Sequence, residues 1–325
     1  MTDFAPLIKN TGAYKAVEKD IKANKLSHAY LIVSSEKVFL TEYLKIFSKL
    51  ILCENKGCNK CRTCKLVDQL TFSDLKYYPK NNEKVLSEDI VDLIEESYYK
   101  PTESNIKLFI IDKAETMTAQ AQNKLLKTLE EPPNNVCILI GANGDFNLLP
   151  TVKSRVKKLE ISTFSNEQIF SALKEGKDEE KLKLAISCGD GTLGKASLLY
   201  DDENLKRITD YVIDTIVNMN SSKDVLDFSV KASGLKCEVD QLLSVFELAF
   251  RDLLFILENK EQEIFDKERI ALLKEAKGFN SGAVVHILEK IVEGYKRHKF
   301  NANSTMLIEW FLFSVLEGKH IWRKL

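Results

Sequence analysis

Four of the seven cysteines in this 325-residue chain fall within the stretch CENKGCNKCRTC, as Cys53, Cys58, Cys61 and Cys64. The last three stand at C-x2-C-x2-C spacing, and Cys53 lies upstream with four residues between it and Cys58. A C-x2-C turn brings two sulfurs to one point, and four thiolates fill the tetrahedral sphere of Zn²⁺. Gly57 relieves the backbone at the turn, and Lys56, Lys60, Arg62 and Lys65 favour the ionised thiols. Surface thiols or a disulfide pair are the plainer alternatives, but in a reducing compartment clustered cysteines bind metal more often than they pair. No histidine or carboxylate stands ready as a base and four ligands leave no open position, so the expected zinc is structural rather than catalytic. Cys137, Cys188 and Cys237 sit in apolar contexts and read as core residues.

The cluster directly follows AYLIVSSEKVFLTEYLKIFSKLIL, which scans as a strand, a loop and a helix. A phosphate-binding loop reads G-x4-G-K-[ST], its glycines letting N–H groups close round phosphate and its lysine neutralising charge. Here Thr41 stands at the Mg²⁺-binding hydroxyl position, but Leu40 replaces the lysine and Phe39 the second glycine, and Lys37 comes three residues early. The ring of Phe39 is expected to fill the space a phosphate needs. Read by itself, the segment is an ordinary strand–helix loop.

The elements that must carry these residues come from the apolar patterning. AYLIVS (29–34), KLFIID (107–112) and VCILIGA (136–142) are apolar runs of strand length. Helical spacing marks 38–52, 87–100 behind Ser87 as cap, and 118–133, which two prolines stop. Strands alternating with helices predict a parallel sheet covered on both faces. Beyond about 160 only helices are read, with a second break near the glycines at 189, 191 and 194. The expected fold class is therefore α/β plus all-α, in three parts: 1–162, 163–205 and 206–325. A net charge of −1 excludes a polycation that grips nucleic acid by charge alone. No apolar run approaches bilayer length and no secretory leader is read at the N-terminus, so a cytoplasmic location is expected. His28, His286, His298 and His320 suggest no joint site, and YKRHKF (295–300) reads as a solvated helix end ahead of a DNA contact.

One stretch decides among functional readings. Residues 107–156 hold an apolar strand ending in Asp112, then NKLLKTLEEPP (123–133), a further strand, and LLPTVKSRV (148–156). This resembles the AAA+ module of bacterial clamp-loader subunits, as do the inserted cysteine knuckle and SHAYLI (27–32). GDGTLGKASLL (189–199) is similar to the family's lid segment, and FRDLL (250–254) and NANSTMLIEWFL (301–312) to its collar helices. The chain departs from the pattern at Val156, where the family has cysteine. It also lacks the loop lysine, has Lys113 where a water-polarising glutamate would follow Asp112, and has Gly194–Lys195 in place of the lid arginine. The resemblance thus implies an AAA+ module with a zinc knuckle, a helical lid and a collar, acting as a non-hydrolysing stator in the DNA polymerase III clamp loader. It implies gamma/tau and delta subunits as partners, with the sliding clamp and primed DNA engaged through the complex. No nucleotide cofactor is expected, and the chain alone is expected to catalyse nothing. Arg155, in SRV, would be an arginine finger acting in trans on a neighbour's ATP. The alternatives are an active gamma/tau-like ATPase motor and a free-standing zinc protein that binds nucleic acid.

Overall fold

The computed structural model describes residues 4–81, 83–235 and 237–321. The chain folds as two units: residues 1–175 with 192–194, and residues 176–191 with 195–325.

The first unit is built on five parallel strands, β1 (Ala29–Ser34), β2 (Leu75–Tyr78), β3 (Lys107–Ile111), β4 (Val136–Ala142) and β5 (Lys157–Ile161), in the order β2-β3-β4-β1-β5. The three apolar runs of the sequence are the three central strands. Leu31 pairs with Ile140 on one side and Lys158 on the other, and Ile110 pairs with Leu139. All of β3 and β4 is buried, as strands covered on both faces must be. The two edge strands carry no clear mark in the sequence. β2 has only four residues, and β5, KKLEI, exposes Lys157, Lys158 and Glu160 and buries Leu159 and Ile161. An edge strand needs one apolar face and half the pairing, so its signal is weak.

Around this sheet run α1 (Ala5–Lys9), α2 (Gly12–Lys22), α3 (Leu40–Leu52), α4 (Arg62–Asp68), α5 (Ser87–Ser97), α6 (Ala119–Glu130), α7 (Pro150–Lys153) and α8 (Asn166–Leu173). Thr118 caps α6 by accepting from the Ala121 N–H, and Pro132 follows its end. Asp74, almost fully buried ahead of β2, accepts from the N–H groups of Thr102, Glu103 and Ser104, which fixes the loop that enters β3.

The second unit is helical: α9 (Glu179–Ser187), α10 (Leu193–Asp201, whose first residues group with the sheet), α11 (Leu205–Asn218), α12 (Ser222–Ser233), α13 (Val239–Leu257), α14 (Glu268–Leu273), α15 (Ser281–Lys299) and α16 (Ser304–Ile321). The stripe Leu242, Phe246, Ala249 and Leu253 on α13 is buried throughout, and the Phe246 ring meets Phe311 of α16 at 4.9 Å. Inside the same unit Arg269 pairs with Asp252 at 2.9 Å, both almost fully buried. Lys319 donates to the carbonyls of Ile216, Val217 and Met219, groups that the end of α11 leaves unpaired. In the basic segment 295–300, Arg297 pairs with Glu293 and its guanidinium lies 4.1 Å from the Trp310 ring centroid. No helix of the described residues is long and apolar enough to cross a membrane.

Candidate metal centre, loop and arginine site

α3 ends at Cys53, whose N–H still bonds to Lys49, and the chain then makes two tight turns with positive φ at Lys56, Gly57 and Asn59. Those turns return Cys58 and Cys61 to Cys53, and Cys61 caps α4 by accepting from the N–H of Cys64. The four sulfurs lie within 4.8 Å of one another. Cys53 stands 3.8 Å from Cys58 and 3.6 Å from Cys61, where four thiolates bound at 2.3 Å to one tetrahedral centre stand about 3.8 Å apart. The described cysteines form no disulfide. The N–H groups of Lys60 and Cys61 hold the Cys58 thiol down at about 6, while burial pushes Cys64 up. The four residues singled out in the sequence therefore converge, with a geometry that could hold one metal ion. Lys9 donates to the Gly57 carbonyl and Lys49 pairs with Asp68, tying the knuckle to α1 and α4 to α3. Of the other cysteines, Cys137 and Cys188 are buried, and burial pushes their thiols up to about 12 and about 11; Cys237 is half-buried.

The glycine-free loop closes on itself. Thr41 donates to Asp112 at 2.5 Å, Tyr77 donates to the same carboxylate oxygen at 2.8 Å, and the Lys113 N–H takes the other oxygen. The Thr41 hydroxyl and the Asp112 carboxylate thus bond directly to each other. Glu115 accepts from the Asn143 N–H and is engaged in the fold rather than turned to the loop. Leu40 is buried. The Phe39 ring stacks on Phe4 at 5.0 Å. Glu36 lies across the loop amides and accepts from the N–H of Val38 and Phe39. Sequence reading misses Glu36 because its partners are backbone groups, which leave no mark in side-chain patterning.

Arg155 lies just past α7, with about a third of its side chain exposed. Its guanidinium pairs with Glu130 at 2.6 Å and donates to the Thr151 carbonyl at 2.8 Å. His28 Nε2 lies 3.1 Å from the Arg155 carbonyl, an acceptor to which it donates, and this bond fixes the turn beneath the side chain. Sequence reading gives neither Glu130 nor His28 a part here. The neighbouring cations are occupied: Lys153 and Lys158 face Asp145, and Lys157 faces Asp20. A planar guanidinium held this way can meet a phosphate through two parallel hydrogen bonds once Glu130 releases it. Val156, in place of the family's cysteine, packs against the core beside the sheet.

A family model described as DNA polymerase III, delta subunit, matches residues 9–165, the stretch that holds the sheet, the cysteines and Arg155. Over this stretch the chain is similar to subunits of DNA polymerase III. Among curated relatives, the chain is 25% identical over 314 residues to DNA polymerase III subunit delta' of Bacillus subtilis, covering 94% of each chain. It is 24% identical to subunit gamma of Buchnera aphidicola subsp. Schizaphis graminum, covering 96% of this chain and 95% of that one. It is also 30% identical to subunit tau of Bacillus subtilis, matching 61% of this chain but spanning only 37% of tau. A solved gamma subunit-related protein from Thermotoga maritima matches 94% of this chain and 99% of its own at 19% identity with a TM-score of 0.45.

Proposed function

We propose that the chain is a delta-prime-type stator: a subunit that hydrolyses no ATP and gives Arg155 to an ATP site on its neighbour. The observation that carries this reading is the direct hydrogen bond between Thr41 and Asp112, in a loop that has Leu40 where a lysine belongs. A site whose metal-binding hydroxyl and carboxylate satisfy each other, with Lys113 as the following residue, has lost the parts that polarise water. In this reading residues 1–162 form the AAA+ module, 163–205 a lid and 206–325 a collar that joins the ring. Its partners are gamma/tau and delta subunits, and the complex places the sliding clamp on primed DNA in the cytoplasm. The metal held by Cys53, Cys58, Cys61 and Cys64 is zinc, because four thiolates at these spacings suit its tetrahedral preference. Zinc there would fix the turns after α3 and take no part in chemistry.

A second reading, an active gamma-like motor, draws on the near full-length match to a gamma subunit. The two separate in a loader reconstituted from gamma-type, delta and this subunit. In the stator reading, Arg155→Ala leaves assembly intact, lowers clamp-stimulated ATP turnover in part and reduces clamp loading. Arg155→Lys does not restore it, because an ammonium lacks the guanidinium fork. Wild-type loading by the Arg155→Ala loader overturns the stator reading, and saturable ATP binding by the isolated chain favours the motor.

A further inference from the structure

The absent glycines and lysine do not account for the carboxylate of Glu36. Glu36 lies two residues beyond β1 and is 2% exposed, a degree of burial that an acid seldom reaches without partners. Its partners are backbone amides. Val38 and Phe39 donate to Oε1 at 2.8 and 3.2 Å, and Gly194 donates to Oε2 at 2.7 Å. Phe39 is the residue that opens the 13-residue helix α3, so two of the donors feed a helix N-terminus, where the macrodipole favours an anion. Three N–H groups converging on two oxygens, two of the donors at the turn from a central strand into a helix and the third from Gly194 in α10, is the arrangement that binds a phosphate edge. Here the oxygens belong to the chain. A carboxylate brings one negative charge where a nucleotide's phosphates bring several, and the loop's one lysine, Lys37, stands three residues short of the position that would balance more. The fit also depends on Gly194, since a Cβ there would stand 2.2 Å from Glu36 Oε1 and 2.5 Å from the Val38 Cβ.

We propose that Glu36 is a built-in anion: its carboxylate occupies the phosphate seat of the loop, excludes phosphate-bearing ligands, and holds the Thr192–Gly194 segment by the Gly194 amide. This goes beyond the stator reading and stands whatever Arg155 does. It makes the loop an occupied anion site whose occupant is covalently attached, rather than a site decayed for want of a lysine. It also accounts for Gly194 by a contact, where the sequence offered only a missing arginine.

The experiment compares wild type with Glu36→Ala and Glu36→Gln by amide hydrogen exchange at Val38, Phe39 and Gly194, with and without millimolar inorganic pyrophosphate. In wild type the three amides are protected and pyrophosphate changes nothing. In Glu36→Ala they exchange faster by about tenfold or more, the change expected when a hydrogen bond to a charged group is lost. Pyrophosphate then restores their protection and gives a binding heat that wild type lacks. Glu36→Gln keeps the shape but turns an NH₂ toward one donor, so Gly194 accelerates while the sheet stays intact; this variant carries the test if Glu36→Ala does not fold. Unchanged protection in the variants overturns the proposal. So does pyrophosphate binding to wild type as tight as to Glu36→Ala, or vacated amides that pyrophosphate fails to protect. None of these readouts involves the assembled loader, so their failure is distinct from failure of the stator reading.

Discussion

Asp74 accepts five hydrogen bonds, from the N–H groups of Thr102, Glu103 and Ser104 and from the hydroxyls of Thr102 and Ser104. Burial raises its pKa, but the three N–H groups outweigh that and hold it down at about 2. Its folded pKa lies below the unfolded one, so its stabilisation is present above about pH 4 and is lost as pH falls toward 2. Asp74→Asn should cost about 2 kcal/mol at pH 7. The gap between variant and wild type should narrow steadily in urea titrations between pH 4 and pH 2. A gap that stays constant with pH would mean that the carboxylate charge is not what the N–H groups hold. At this scale, residues grouped in the chain are legible: the four cysteines announce their meeting by spacing alone. Glu36 is not, because Gly194 lies 158 positions away and offers only a backbone amide. The Arg155–Glu130 pair is hidden for the same reason, since nothing in the chain marks the turn that brings α7 back to the end of α6.

Among the elements, β1, β3 and β4 can be read because strands buried on both faces are continuous apolar runs. β2 and β5 cannot, being edge strands with one partner each. The sequence places the helices of the first unit to within a turn where their caps and stops (Thr118, Pro132) are themselves residues. The knuckle permits a test that separates metal binding from helix capping. Cys61 both joins the sulfur cluster and caps α4, and serine is the better cap. Cys61→Ser should therefore release the metal while α4 survives. Metal analysis should fall from one ion per chain to none, and trypsin should cut at Lys56 and Lys60, which wild type resists. The far-UV signal of the sheet should stay unchanged. Metal retained by the variant would remove Cys61 from the ligand set.

For the molecule as a whole, each of the two units has its own apolar core, so calorimetry should resolve two transitions rather than one. Cys61→Ser should lower only the transition of the α/β unit. Arg269→Ala should lower only the helical one, by about 3 kcal/mol, because it leaves the buried Asp252 with only Arg251 at 4.0 Å as an ion partner. Burial already raises the Asp252 pKa against the pull of Arg269, and removing that arginine should raise it further, so the variant should regain part of its stability at acidic pH. A single transition shifted equally by both substitutions would show that the units melt together. α3 also bears on how load passes through the α/β unit. It spans about 20 Å, with Thr41 bonded to Asp112 beside the sheet at one end and Cys53 in the sulfur cluster at the other. In mechanical terms it is a beam built in at both ends. Such a beam resists fraying and pivoting, so a force applied at the knuckle is passed along α3 to the sheet rather than absorbed by a loose helix end.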